Sequence, residues 1–143
     1  MTPSGPANTS AWIVIYDADC GFCRWSLALL LGADRRRRLR PLALGTPEAD
    51  ALLFDVPAEQ RAASWHLVSP DGSRKSAGSA APRLLALLPG GRVPAGLLAR
   101  APALTDRAYD GVASHRSTLS RWLTSRAKRR ATVKIARREA KPR

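Results

Sequence analysis

Cysteine is scarce in this chain: 143 residues hold two, Cys20 and Cys23, three positions apart. Two cysteines cannot build the multi-bridge framework of a small secreted domain. No apolar stretch approaches the roughly 18–20 residues needed to cross a bilayer. The longest, Leu27 to Leu31, reads as a few residues of a helix. Met1 to Ser10 has neither a basic start nor an apolar h-region, so no secretory signal is expected, and the cytoplasm is the expected compartment. Acids are also few, with 11 Asp and Glu against 24 Lys and Arg, for a net charge of +13. Zinc-finger spacing is absent, and basic strands interleaved with aromatics are absent too. Any nucleic-acid binding is therefore expected to be non-specific and salt-dependent.

What is present is unevenly placed. Residues 121–143 hold ten Lys or Arg and one acid, Glu139, whereas residues 1–120 hold fourteen Lys or Arg and ten acids. The expected organisation is a disordered leader over 1–11, one domain over 12–123 and a basic tail over 124–143. The tail reads as a solvated extension, with nucleic acid or an anionic membrane as candidate contacts. Its removal is expected to leave the chemistry of the domain intact.

Within the domain, Trp12 to Tyr16 is continuously apolar, as in a strand buried on both faces. From Gly21 the spacing becomes helical, and Phe22, Trp25, Leu29, Leu30 and Ala33 define the expected inward face. Arg35 to Arg38 are placed to meet that helix's C-terminal carbonyls. Leu39 to Leu44 reads as a second strand, at an edge because of Pro41. Thr46-Pro47-Glu48 starts a helix to about Ala62, interrupted by Pro57. Ser64 to Ser69 and Ser73 to Ala77 read as a hairpin around Pro70-Asp71-Gly72. A helix follows from Gly78-Ser79 to Leu88. A short helical piece spans Ala95 to Arg100. A longer one after Pro102 is expected to pack through Leu104, Ala108, Val112, Leu119 and Leu123. Strand, helix, strand, helix, hairpin, helix is the element order of a thioredoxin-like domain. The expected fold is therefore α/β: three layers around a mixed four-stranded sheet, with an added C-terminal helical segment.

The two cysteines fall where the first strand ends and its helix begins. Residues i and i+3 in a first helical turn lie about 5–6 Å apart, within the span a disulfide tolerates. Cys20, nearer the helix N-terminus, is expected to be the more exposed sulfur and the better-stabilised thiolate, hence the nucleophile. Cys23 is the expected resolving thiol. Asp19 is expected to cap the helix. Asp17 either accepts a proton from a cysteine or orients the loop. Arg24 favours the thiolate that Asp17 and Asp19 oppose.

The run Tyr16-Asp17-Ala18-Asp19-Cys20-Gly21-Phe22-Cys23 resembles the DCC family of thiol-disulfide oxidoreductases, whose naming aspartate and cysteines match Asp17, Cys20 and Cys23. Trp65, Asp71-Gly72 and Gly78-Ser79-Ala80 resemble the family's hairpin and following helix. Tyr109-Asp110-Gly111-Val112-Ala113-Ser114-His115-Arg116 resembles its closing signature. The resemblance spans about Trp12 to Leu123 and implies a thioredoxin-like fold with redox activity. Two positions depart from pattern. Ala18 stands where the family often has glycine. Ala62-Ala63-Ser64 stands where thioredoxins carry a cis-proline.

Arg116 falls on the apolar side of the C-terminal helix, where it needs a partner, and Asp17 is the candidate. His66 is expected to be a packed or edge residue of its strand. A metal module is the competing reading, but zinc needs four ligands and one C-x-x-C supplies two. His66 and His115 complete such a site only if the fold brings them together or a dimer shares ligands. No cofactor or metal is expected. The expected activity is thiol–disulfide exchange with a protein or small thiol, at a potential of roughly −270 to −200 mV.

Overall fold

The computed structural model describes residues 11–140. The expected leader, 1–11, lies outside them except for Ala11. Four strands, β1 (Trp12–Tyr16), β2 (Leu39–Ala43), β3 (His66–Val68) and β4 (Arg74–Ser76), form one sheet in the order β2-β1-β3-β4. β1 pairs parallel with β2, Val14 opposite Pro41, and antiparallel with β3, Val14 opposite Leu67. β3 pairs antiparallel with β4. This is the mixed sheet of a thioredoxin-like domain. Pro41, which has no N–H to donate, sits on an edge strand.

The helices are α1 (Gly21–Ala33), α2 (Pro47–Leu52), α3 (Ala58–Ala63), α4 (Ala80–Leu87), α5 (Arg92–Arg100), α6 (Pro102–Ser114), α7 (Arg116–Trp122) and α8 (Ser125–Ala140). Strand alternation splits the core into two layers. Val14, Tyr16, Leu39 and Leu67 meet Leu27 and Leu31 of α1, Leu84 and Leu87 of α4, and Ile135 of α8. On the opposite side Ile15, Leu42 and Val68 meet Ala49 and Leu53. α2 starts as its sequence requires: the Thr46 hydroxyl accepts the Ala49 N–H at 3.3 Å and Pro47 fills the first turn. Pro57 ends the α2 region and begins α3.

Four expectations are corrected. The first concerns α1, whose buried residues are Gly21, Cys23, Leu27, Ala28 and Leu31. The stripe read as its inward face is displaced outward, with Leu29 at 56% exposure. α1 is covered on two sides, by the sheet and by α8, so its buried arc is set by both neighbours. Second, α6 and α7 are separate helices that meet at His115. The stripe beginning at Leu104 does not face inward, because Leu104 and Val112 are exposed while Thr105 is buried. Third, Arg35 and Arg37 meet the end of α1 through their backbone N–H groups, on the Ala33 and Asp34 carbonyls, while the guanidinium that reaches the Leu31 carbonyl is that of Arg138. Fourth, the basic segment from 124 is no solvated extension over 125–140. It is the helix α8, with Ala131 and Ile135 at 1% and 3% exposure.

α8 runs alongside α1 in the same direction. A Cβ on Gly21 would fall 2.8 Å from Lys128 Cε, and one on Gly32 would fall 2.5 Å from Lys134 Nζ. Both lysine side chains thus lie along α1, one at each end, with their flexible tips over the two glycines. At the far end Arg138 Nη1 meets Asp34 Oδ2 at 2.7 Å, and Nη2 donates to the Leu31 carbonyl at 2.9 Å. The Asp34 carboxylate also accepts the N–H groups of Arg38 and Leu39, both at 2.9 Å. Its side chain is fully buried and that of Arg138 is 14% exposed.

Removing one partner of a buried pair strands the other charge, which typically costs about 3–5 kcal/mol. Arg138→Ala is therefore expected to lower the urea midpoint by that equivalent. Arg138→Lys should recover only part, because an ammonium cannot reproduce the forked contacts. A chain ending at residue 124 should be less stable still, contrary to the separable tail expected from charge alone.

Candidate active site

β1 delivers the chain to a tight loop, 17–20, from which α1 departs. The loop is fixed from within. Asp17 Oδ1 accepts the Asp19 N–H at 3.0 Å, and the Asp17 carbonyl accepts the Cys20 N–H at 3.3 Å. Arg24, one turn into α1, reaches back and donates to the Ala18 carbonyl at 2.6 Å. Both side chains orient the loop, and the structure gives Arg24 no contact with either sulfur. Asp19 does not cap α1; Cys20 does. Its backbone is extended (φ −92°, ψ 112°) and its sulfur accepts the Cys23 N–H at 3.3 Å. A cysteine in that position serves the helix as serine does elsewhere, because one free amide of the first turn finds an acceptor.

The two thiols are both free and differ in environment. Cys20 is half-buried, whereas Cys23 is 5% exposed. Burial pushes the Cys23 thiol up to about 12; the hydrogen bond with the Cys20 sulfur and the Coulombic effect of Cys20 add to the shift. Arg116 opposes it and Asp17 reinforces it. Arg116 does not pair with Asp17 as expected. Its Nη1 donates to the Ala62 carbonyl at 2.8 Å, which ties α7 to the chain just ahead of β3.

Cys23 opens into a cleft of about 190 Å³. Phe22 and Ser26 of α1 form one wall, Ala63-Ser64-Trp65 the floor, and Tyr109, Ala113 and Arg116 the other wall. Ala63-Ser64, which stands where thioredoxins place proline, therefore does face the dithiol. Tyr109 holds this floor, its hydroxyl oxygen accepting the Trp65 N–H at 2.9 Å. α6 comes close enough because Gly78 lacks a side chain: a Cβ there would sit 2.9 Å from Asp106 Cα.

A family model for DCC1-like thiol-disulfide oxidoreductases matches residues 14–122. The chain belongs to this family. The match runs from β1 through α7 and stops before α8. No curated protein and no solved structure matches the chain. In this DCC1-like chain, residues far apart in sequence (Cys23, Trp65, Tyr109, Arg116) thus converge on one cleft.

The histidines stand elsewhere. His66 is 1% exposed, with Nδ1 2.6 Å from Ser76 Oγ and Nε2 3.2 Å from the Arg61 carbonyl. The carbonyl contact requires Nε2 to donate, and Nδ1 lies against the Ser76 hydroxyl. Burial first, and then Arg74 and Arg61, hold its pKa below the usual value. Both ring nitrogens are occupied by structural partners. His115 is exposed and donates from Nδ1 to the Gly111 carbonyl at 2.7 Å. Among the described residues no group of three or more His, Cys, Asp or Glu side chains is arranged to hold a metal. Reasoning from single segments missed the cleft-forming role of Trp65 and Tyr109, although the family signature had marked both.

The buried thiol generates a prediction with a definite sign. A thiolate is the reactive form, so Cys23 in a Cys20→Ser protein should alkylate slowly at pH 7. The variant loses the contribution of Cys20, but burial, the largest cause, remains. The iodoacetamide rate should still climb by about tenfold per pH unit through pH 9, where an ordinary thiol near 8.5 levels off. In the wild type the same raised value favours folding fully below about pH 9. That contribution should fall as pH rises toward 12, because the unfolded chain gives up the proton first.

Proposed function

We propose that this protein is a thiol–disulfide oxidoreductase in which Cys20 attacks and Cys23 resolves. The observation that carries this reading is the pairing of a half-exposed sulfur at the first turn of α1 with a buried thiol directly behind it. Cys20, as the thiolate, attacks one sulfur of a substrate disulfide. A Cys20–substrate bond forms, the substrate S–S bond breaks, and the other substrate sulfur leaves as a thiolate. Cys23 then loses its proton to solvent or to the departing thiolate and attacks the Cys20 sulfur. The second substrate thiol is released and a Cys20–Cys23 disulfide closes. Two electrons pass from the dithiol to the substrate; run backwards, the same steps oxidise a substrate dithiol.

The order of attack follows from access and protonation together. Cys23 is 5% exposed and holds its proton at neutral pH, so it competes poorly for an incoming disulfide. Once Cys20 is bound to substrate, the hydrogen bond and Coulombic effect of a free Cys20 are gone. Two of the causes that raise Cys23 vanish at the moment its thiolate is needed. Arg116, which lowers it, remains. Asp17 and Arg24 are positioning residues that hold the 17–20 loop. Free thiols at this spacing suit a reducing compartment, here the cytoplasm. No described helix is long and apolar enough to cross a membrane.

A redox titration against a thiol buffer, read by mass-tag alkylation, should show one two-electron transition between roughly −270 and −200 mV. Cys23→Ser should accumulate a mixed disulfide on Cys20. Cys20→Ser should lower turnover by about three orders of magnitude or more and trap nothing. Mixed disulfide on Cys23 instead of Cys20, or no two-electron transition, would contradict the reading.

A further inference from the structure

The cleft beside Cys23 does not end at Ser26. A second cavity, of about 440 Å³, adjoins it and shares Ser26, Trp65 and Tyr109 with it. The second cavity continues along Leu29, Leu30 and Ala33 of α1, against Leu84 and Leu85 of α4. From Cys23 to Ala33 is ten residues of helix, which makes a groove about 15 Å long. Its walls are the stripe of α1 that neither the sheet nor α8 covers. Polar groups are few and partly committed: Ser26 donates to the Phe22 carbonyl at 2.8 Å, and the Tyr109 oxygen accepts the Trp65 N–H. A peptide backbone laid here would give up hydrogen bonds to water without replacements. Hydrocarbon would not.

Charge is confined to one end. Among the described residues, Arg116 is the only ionisable side chain besides Cys23 and Tyr109 lining the two cavities, and it stands at the Cys23 end. One of the five N–H groups of its guanidinium is used, on the Ala62 carbonyl. No carboxylate lines either cavity. The complementary ligand carries an anionic group beside its sulfur and an elongated apolar body behind it.

We infer that the substrate of this dithiol is a small thiol or disulfide with a carboxylate next to sulfur and a hydrocarbon body that lies in the groove along α1. This inference rests on the redox reading of Cys20 and Cys23. Exchange proceeds as above. Cys20 attacks the sulfur bearing the hydrocarbon, and the other thiolate leaves. Cys23 then displaces the hydrocarbon thiolate as the intramolecular disulfide forms.

The test uses mixed disulfides of 2-mercaptoalkanoates with 5-thio-2-nitrobenzoate, with alkyl tails of increasing length, on the reduced full chain. The second-order rate of thionitrobenzoate release should rise about two- to fourfold per added methylene, then level off when the groove is filled. Leu29→Glu, at the rim, should flatten that rise. Leu97→Glu, an exposed leucine on α5 outside the groove, should preserve it. Replacing the carboxylate by the uncharged amide should slow wild type several-fold, and Arg116→Gln should abolish the difference. A rate independent of tail length overturns the inference while leaving the redox reading standing, and so does sedimentation showing that a second copy of the chain fills the groove. No reaction with any disulfide at any length overturns the redox reading itself.

Discussion

A fully buried carboxylate needs every lone pair answered, and Asp34 makes the rest of the molecule answer it. Two N–H groups come from the start of β2 and a guanidinium comes from α8. One side chain therefore joins the end of the helix that bears the dithiol, the edge strand and the last helix. The other end of α1 is fixed by a different set of bonds, from Asp17 and Arg24 within the 17–20 loop. A helix tied at both ends cannot slide, which fixes where its cysteines sit against the sheet; the spacing between the Cys20 sulfur and Cys23 is set locally by the cap of α1. The arrangement also explains how a polypeptide this basic keeps a compact body. The arginine in the core is paired, whereas the remaining cations of α8 lie mainly on its outer side.

Some of this was legible from sequence because it is local. The continuous apolar run Trp12–Tyr16, the Thr46-Pro47 helix start and the Pro70-Asp71-Gly72 turn each contain their own cause. The element order then implied the sheet, since a crossover and a hairpin leave few arrangements. What local patterns could not carry was partnership across the chain. The partners of Asp34 were not legible locally, because the N–H groups of Arg38 and Leu39 and the Arg138 guanidinium lie 4, 5 and 104 residues away. Charge density hid α8. Ten cations dominate residues 121–143, yet two small or apolar positions a turn apart, Ala131 and Ile135, suffice to dock it. Asp19 was a reasonable cap by residue type, but Cys20 stands one residue later and its sulfur reaches the amide.

The misread face of α1 has the most chemical consequence. Periodicity reports that a stripe is apolar, not what covers it. The sheet covers one side of α1 and α8 with α7 another, which leaves one apolar arc facing α4 across a cavity. Phe22, Leu29, Leu30 and Ala33 form an arc that runs from the cleft beside Cys23 along the adjoining cavity. An exposed Leu29 beside a reactive sulfur has a different meaning from the isolated exposed leucines elsewhere, which any surface carries. Here the apolar surface is concave and continuous with Cys23.

The same geometry separates the two sulfurs into roles that neither could fill alone. A pair of equally exposed thiols would both attack, and mixed disulfides would form on either. Burial keeps Cys23 protonated, while the Cys20 sulfur, one helical turn away, is the more exposed of the two. The enclosure comes from Trp65, Tyr109 and Arg116, held in place by a Trp65–Tyr109 hydrogen bond, a glycine contact at Gly78 and the Arg116–Ala62 bond. On the proposed reading, the order of the two chemical steps is a property of the C-terminal helices as much as of the C-x-x-C segment. A C-x-x-C without that cover would have the reagents of exchange but not its direction.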